Sequence, residues 1–274
     1  MKDLRGRTAA ITGAGSGLGR AMALAFAAEG MDLALADVDQ AGLEETARNI
    51  KTKVFTMKVD VSRESDVQAF CDRIEKPFLV CNNAGVSPLG AVWESSVGDW
   101  QWILGVNLWG AIHGVRAFAP RLIAQNEGHI VNTASVAGLI SPPGSGAYNV
   151  TKHAVVALSE SLHHDLHERN SAVGVSVLCP AYVPTGISSS ERNRPAGLSM
   201  GAKSEITKAK EANLKKAVAS GRLTADDVAN AVVKAVKDDR FYILTHPRIK
   251  GAIESRMRDI LDERAPRDPL KLGG

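Results

Sequence analysis

Tyr148 and Lys152 stand four residues apart in a stretch of helical spacing, Tyr148–Asn170. That places both side chains on one helix face. A free phenol titrates near 10, too high for a base at neutral pH. A neighbouring ammonium favours the phenolate and lowers that value, and Lys152 is positioned to supply the charge. Ser135 lies thirteen residues before Tyr148, just past a strand-like run. Its hydroxyl can hydrogen-bond an oxygen on which charge develops. Together the three residues suit proton transfer to a ketone oxygen or from an alcohol. By itself a Tyr-x-x-x-Lys pair is ordinarily a simple i,i+4 contact; its weight depends on the other segments.

The turn Thr12-Gly13-Ala14-Gly15-Ser16-Gly17-Leu18-Gly19 follows one apolar run and opens an Ala-rich helix. Glycines permit positive φ and a close approach of backbone to a pyrophosphate. The helix N-terminus that follows offers free N–H groups and a favourable dipole. The spacing is G-x-x-x-G-x-G, at Gly13, Gly17 and Gly19. Asp37 closes the next strand-like run, where a carboxylate can accept both ribose hydroxyls of an adenosine and would repel a 2′-phosphate. No Lys or Arg lies between Gly13 and Gly19, although Arg20 follows at once. The reading favours NAD over NADP.

These residues need a scaffold, and the chain supplies one. Apolar runs at Thr8–Thr12, Asp32–Ala36, Lys53–Val59, Phe78–Cys81, His129–Thr133, Val173–Leu178 and Phe241–Thr245 alternate with helical patterns. The helical patterns span Leu18–Glu29, Gln40–Asn49, Glu64–Glu75, Trp100–Asn126, Tyr148–Asn170 and Asp226–Lys237. That alternation predicts α/β architecture with right-handed βαβ units. The near-continuous apolar runs suit a mostly or wholly parallel seven-stranded sheet covered on both faces. Residues 1–274 read as a single domain. Pro184–Arg222 is polar, and its 186–222 stretch reads as a lid over the substrate. Residues 246–274 read as a charged C-terminal extension with a mobile end.

Composition narrows the classes further. Net charge is +3 and charged residues make up 23%, which gives no argument for nucleic acid or an anionic membrane surface. No run of membrane-spanning length is present, and the N-terminus lacks the apolar core of a signal peptide. The cysteines, Cys71, Cys81 and Cys179, are odd in number and form no C-x-x-C pair. They read as buried reduced thiols in a cytoplasmic protein.

Taken together, the chain resembles a classical short-chain dehydrogenase/reductase over roughly residues 5–245. The Thr12–Gly19 loop resembles the family's cofactor loop, and Asn82-Asn83-Ala84-Gly85 its structural motif. Asn107, Ser135, Tyr148 and Lys152 match its catalytic tetrad in order and spacing. The resemblance implies a Rossmann-like, doubly wound fold, commonly a homotetramer, with a homodimer also open. It implies cofactor contacts from Gly13, Ser16, Gly17, Leu18 and Gly19, an adenine contact from Asp60 and Val61, and a cleft lined by Asn83, Ala84 and Gly85. Asn107 would hold a water in a proton relay through Lys152, and Lys152 would also bind the nicotinamide ribose with Tyr148 beside it. Pro180, Val183 and Thr185 would grip the nicotinamide, in a stretch where the family usually has Pro-Gly and this chain has Pro180-Ala181. Family layout also points to Ser87, Leu89, Ile140, Pro142 and Tyr182 as substrate contacts. The FYILTHP stretch at 241–247 is similar to a bacterial subgroup with members acting on bulky aryl or cyclic secondary alcohols.

The expected activity is NAD-dependent interconversion of a small-molecule secondary alcohol and a ketone. Two other readings stay open: a non-catalytic nucleotide-binding regulator on the same fold, and a relative using the cofactor for epimerisation or dehydration. His163 and His167 could hold a metal, but a polar helix face is the plainer reading. The tryptophans at 93, 100, 102 and 109 read as packing residues rather than site residues.

Overall fold

The apolar runs become seven strands in a computed structural model that describes residues 2–271. They are β1 (Thr8–Thr12), β2 (Asp32–Asp37), β3 (Val54–Lys58), β4 (Pro77–Asn82), β5 (His129–Thr133), β6 (Gly174–Leu178) and β7 (Tyr242–Ile243). All pair in parallel, in the order β3-β2-β1-β4-β5-β6-β7. The helices are α1 (Gly17–Ala28), α2 (Gln40–Arg48), α3 (Glu64–Asp72), α4 (Val97–Ile103), α5 (Gly110–Gln125), α6 (Gly146–Glu168), α7 (Glu205–Ala219), α8 (Ala225–Lys237) and α9 (Ile249–Leu261). The fold is the expected Rossmann-like, doubly wound sheet.

Successive strand residues face opposite sides of a sheet, and the core divides accordingly. Ala9, Ile11, Leu33, Leu35 and Leu79 pack with Phe26 of α1 and Val228 and Val232 of α8. Ala10, Ala34, Val80 and Ile130 pack on the other face with Phe70 of α3, Phe118 of α5 and Leu162 of α6. Strands β1, β2, β4, β5 and β6 are buried on both faces, which explains their unbroken apolar character. Strand order reverses between β1 and β4, and a crevice opens above the strand ends there, where ligands of open α/β sheets bind.

Three elements differ from the sequence expectation. The helical pattern Trp100–Asn126 is interrupted: α4 begins at a Ser96/Asp99 capping box, and Leu104–Trp109 forms a π-helical turn before α5. There the Gly110 N–H bonds the Gly105 carbonyl, five residues back. Strand β7 is two residues long instead of five. Its neighbour offers Val177 N–H to Phe241 O and Cys179 N–H to Ile243 O, and the next N–H on that side, Ala181, goes to His246 Nδ1 instead of continuing the ladder. The stretch 186–222 holds a 3₁₀ turn (Gly186–Asn193) and α7. Residues 272–274 of the expected mobile end lie outside the described residues.

Candidate active site

Thr12 ties three strand ends together. Its Oγ1 accepts the Asn83 N–H at 2.9 Å and the Ala84 N–H at 3.2 Å. Asn83 Nδ2 donates to the Thr12 carbonyl at 3.1 Å, and Asn83 Oδ1 accepts from Thr133 Oγ1 at 3.2 Å. The glycine loop lies over this knot. Gly13 has φ +68°, and a β-carbon on it would lie 2.8 Å from the Ala84 Cα. Gly17, at φ +53°, faces Thr185 across 3.2 Å by the same measure. Both positions leave a cradle open for backbone approach. Ser16 makes no side-chain cap and the first turn of α1 has no acidic residue, so the helix N-terminus keeps its attraction for an anion. Gly19 is off the cleft wall: its β-carbon would sit 2.0 Å from the Gly13 carbonyl oxygen, so it supports the loop rather than lining the cleft.

Asp37 stands at the end of β2, its Oδ2 accepting the Gly15 N–H at 2.9 Å and its Oδ1 the Asp39 N–H at 3.0 Å. Each carboxylate oxygen has further lone pairs. Arg20 is engaged elsewhere. Its guanidinium donates to both Glu45 oxygens at 2.9 Å and to the Gly15 carbonyl at 2.6 Å. Asp60 and Val61 reach the same wall from beyond β3.

The cleft holds about 1400 Å³ of empty space, part of it open to solvent. Gly13, Ser16, Gly17, Leu18, Asp37, Asp60, Val61, Asn83, Ala84, Gly85, Ser135, Tyr148, Lys152, Pro180, Val183 and Thr185 all line it. Ser135 caps the short turn Val136–Gly138, its Oγ accepting the Ala137 N–H at 3.2 Å. Lys152 reaches from α6 to donate to the Thr133 carbonyl at 2.9 Å, its Nζ 5.6 Å from the centre of the Tyr148 ring.

Asn107 lies behind the wall rather than on it. It is buried in the π-helical turn, and its amide is spent on both backbone groups of Val86, at 2.8 and 2.9 Å, and on Thr151 Oγ1 at 3.2 Å. A β-carbon on Gly85 would touch Asn107 Oδ1 at 3.5 Å and Lys152 Nζ at 3.6 Å. Gly85 therefore stands where those two groups converge.

Protonation differs from the sequence expectation in one respect. Burial pushes the Tyr148 phenol up, against the nearby Ser135 hydroxyl. Burial also brings Lys152 down to about 8. Desolvation disfavours the charged form of both groups, so burial opposes the lowering of the Tyr148 phenol that spacing suggests.

The substrate end also differs. Ser87, Leu89, Ile140, Pro142 and Tyr182 are not on the cleft wall. Ser87 and Leu89 line a smaller neighbouring cavity, Ile140 is buried, Pro142 accepts from Asn149 through its carbonyl, and Tyr182 is largely exposed. Val86, Trp102, Val106, Ile187 and Val218 form the apolar wall instead. Trp102, read from sequence as packing, packs with Val86 next to Tyr148. Arg194 lies over its ring at 4.4 Å and pairs with buried Asp99 at 2.6 Å. No periodicity marks such a wall, because its members come from distant segments.

Ala181, where the family usually has Gly, is not among the positive-φ residues, so its side chain brings no strain. His163 and His167 lie 6.5 Å apart between ring centres, and no group of three metal-binding side chains occurs among the described residues. All three cysteines are free and buried. No helix among the described residues is long and apolar enough to cross a membrane.

Residues 7–196 match the family described as short chain dehydrogenase. The chain is 34% identical to a CLA biosynthesis dehydrogenase/reductase of Lactiplantibacillus plantarum, over 97% of each chain. It is 30% identical to a C alpha-dehydrogenase of Sphingobium sp., over 97% of this chain and 89% of the relative. A crystal structure of a short-chain dehydrogenase/reductase from Burkholderia phymatum, in complex with NAD, superposes with a TM-score of 0.95 at 49% identity, over 98% of this chain and 99% of that one. With a family match across most of the chain and a fold shared end to end, the protein belongs to the short-chain dehydrogenase family.

Proposed function

We propose that this oxidoreductase interconverts a secondary alcohol and a ketone with NAD, with Tyr148 as acid/base. The observation that carries the reading is the meeting of Ser135, Tyr148, Lys152 and the glycine loop in one cleft above the strand ends. The residues fit a dinucleotide. The glycine cradle at Gly13 and Gly17 and the uncapped α1 N-terminus would hold the pyrophosphate, and Asp60 and Val61 the adenine. Asp37 would take the adenosine ribose and repel a 2′-phosphate, and Arg20 is already paired to Glu45; this favours NAD over NADP. Pro180, Val183 and Thr185 would grip the nicotinamide end.

When bound, the dinucleotide supplies the hydride acceptor or donor. The chain does the rest. Ser135 Oγ orients the substrate oxygen and stabilises charge on it. Tyr148, protonated as a phenol, donates its proton to a ketone oxygen; in the reverse direction it acts as the phenolate, beside the Lys152 ammonium, and takes the proton from the alcohol. Lys152 has spare donors beyond the Thr133 carbonyl for the nicotinamide ribose. Asn107 holds the Val86 segment in place behind it, and its part in a water relay rests on the family resemblance.

The apolar wall at Val86, Trp102, Val106 and Ile187 favours a bulky aryl or cyclic substrate. We read residues 1–274 as one catalytic domain with 186–222 as the lid. Buried free thiols support a cytoplasmic setting, and family resemblance supports a homotetramer or homodimer.

The test is cofactor absorbance with NAD or NADP and a panel of secondary alcohols, then the reduced cofactors with the matching ketones. NAD-linked turnover supports the reading. Tight NADH binding with no turnover on any bulky or small member of the panel would favour a nucleotide-binding regulator.

A further inference from the structure

The C-terminal extension enters the fold at His246, three residues past β7 and three before α9. Its Nδ1 lies 3.2 Å from the Ala181 N–H, which donates to it. The same peptide unit presents the Pro180 carbonyl on its other side. That carbonyl accepts the Val136 N–H at 3.0 Å and faces Ser135 Oγ at 3.4 Å. In a trans peptide the C=O and N–H point in opposite directions. The Pro180–Ala181 plane is therefore clamped between the Ser135 turn and the His246 ring. Pro180 and Ala181 line the cleft, and Val183 and Thr185 follow directly on its wall.

The ring's hydrogen bonding argues that this clamp, rather than packing, is its role. With Nδ1 accepting, the neutral imidazole carries its proton on Nε2. Nε2 is buried and has no partner among the described residues. A buried N–H without a partner is costly, and an apolar side chain would fill the space without that cost. What the ring adds is the acceptor for Ala181, with Thr245 Oγ1 beside it at 2.9 Å. The turn into α9 also starts here, since the His246 carbonyl accepts the Ile249 N–H at 3.1 Å.

We infer that His246 is a positioning residue for the nicotinamide half of the cofactor, acting through the Pro180–Ala181 peptide. This inference rests on the dehydrogenase reading above. The C-terminal extension thereby helps set the geometry between Ser135 and the loop that receives the nicotinamide, although no described residue of the extension lines the cleft. Losing the Nδ1 acceptor leaves the Ala181 N–H unpaired and the peptide free to tilt. The adenosine half, held by Asp37 and the glycine loop, is untouched.

The experiment compares NADH with ADP-ribose, which lacks the nicotinamide, in binding to wild type and three variants. His246→Leu removes the acceptor. His246→Gln places its amide near the Nε2 position rather than at Nδ1. His246→Asn places Oδ1 where Nδ1 was. The expected result is NADH binding weakened about tenfold in the Leu and Gln variants, the scale of one lost buried hydrogen bond, and within about twofold of wild type in the Asn variant. ADP-ribose binding should be unchanged in all three. If Leu fails to fold, Gln against Asn carries the comparison. Equal weakening of NADH and ADP-ribose, or no weakening of NADH in folded Leu or Gln protein, would overturn the positioning role. Wild type that binds ADP-ribose but not NADH would instead overturn the nicotinamide reading on which the role depends.

Discussion

Asp37 Oδ2 accepts the Gly15 N–H at 2.9 Å, so the residue that ends the second strand also holds the loop that follows the first. On the proposed reading, the same carboxylate would serve both ribose recognition and loop shape. Asp37→Ala is expected to raise the Michaelis constant for NAD roughly 10- to 100-fold, the loss expected for charge-assisted hydrogen bonds. Discrimination against NADP should relax in the same variant, because the repelling charge is gone. Kinetics with both cofactors check this; an unchanged preference would remove Asp37 from ribose recognition.

Tyr148→Phe keeps the ring among Val86, Trp102 and Ala147 and removes only the proton donor. Turnover should fall by about 10²- to 10⁴-fold, the usual scale of positioned acid/base catalysis. NADH binding followed by fluorescence should stay near wild type. Normal turnover would exclude Tyr148 as the acid/base.

Two glycines predict opposite phenotypes. A β-carbon on Gly19 would lie 2.0 Å from the Gly13 carbonyl oxygen, a backbone atom that cannot yield. Gly19→Ala should destabilise the protein by about 1–3 kcal/mol or more, as overpacking does. At Gly85 the nearest atoms would be 3.5 Å away, an ordinary contact. Gly85→Ala should melt like wild type yet bind NADH more weakly, because its methyl group narrows the cleft beside Lys152. Thermal melts paired with NADH titration separate the two, and matching phenotypes would contradict the assignment.

One carboxylate gathers several of the contacts made by the 186–222 stretch, which we read as the lid. Asp99 accepts from the Ser96 N–H, the Gly201 N–H and Arg194 at 2.6–2.8 Å, and Arg194 covers Trp102. Asp99→Ala leaves a partly buried guanidinium without this partner, and removing one member of such a pair is costly. Proteolytic cleavage within 186–222 should accelerate about tenfold or more, on the scale of one or two lost hydrogen bonds. Cleavage at the wild-type rate would show that the lid is held by other contacts.

His129 sets an acid limit on stability. Its Nε2 faces Ser176 Oγ at 2.7 Å and its Nδ1 faces Lys2 Nζ at 3.0 Å. Burial lowers its pKa from 6.5, joined by the charge of Lys2 and opposed by Asp239. As pH falls below 6.5 the unfolded chain takes up this proton before the folded one does. The contribution is therefore complete above about 6.5 and is lost as pH falls toward the depressed folded value. Asp239, also depressed, acts at lower pH, below 3.8. His129→Leu should flatten the slope of melting temperature against pH between about 4 and 6.5; a slope like that of wild type would place the acid sensitivity elsewhere.

The sequence alone determined the features that depend on local spacing. The Gly13–Gly19 loop, Asp37 at a strand end and the Tyr148/Lys152 pair were readable because each needs only a strand, a turn or one helix face. The parallel sheet was readable because strands buried on both faces are apolar throughout. Tertiary structure decided what depends on neighbours far along the chain. It put Asn107 behind the wall, since the π-helical turn points its amide at Val86. It made Trp102 part of the wall, since Arg194 and Asp99 arrive from separate segments. It paired Arg20 with Glu45, and it raised the Tyr148 phenol by burial where spacing alone suggested a lowered one. It also cut β7 to two residues, because the next N–H on the adjoining strand's continuation, Ala181, bonds the His246 ring instead. Spacing along one element specifies which side chains share a face, whereas burial, pairing and pocket shape are set by which distant faces meet.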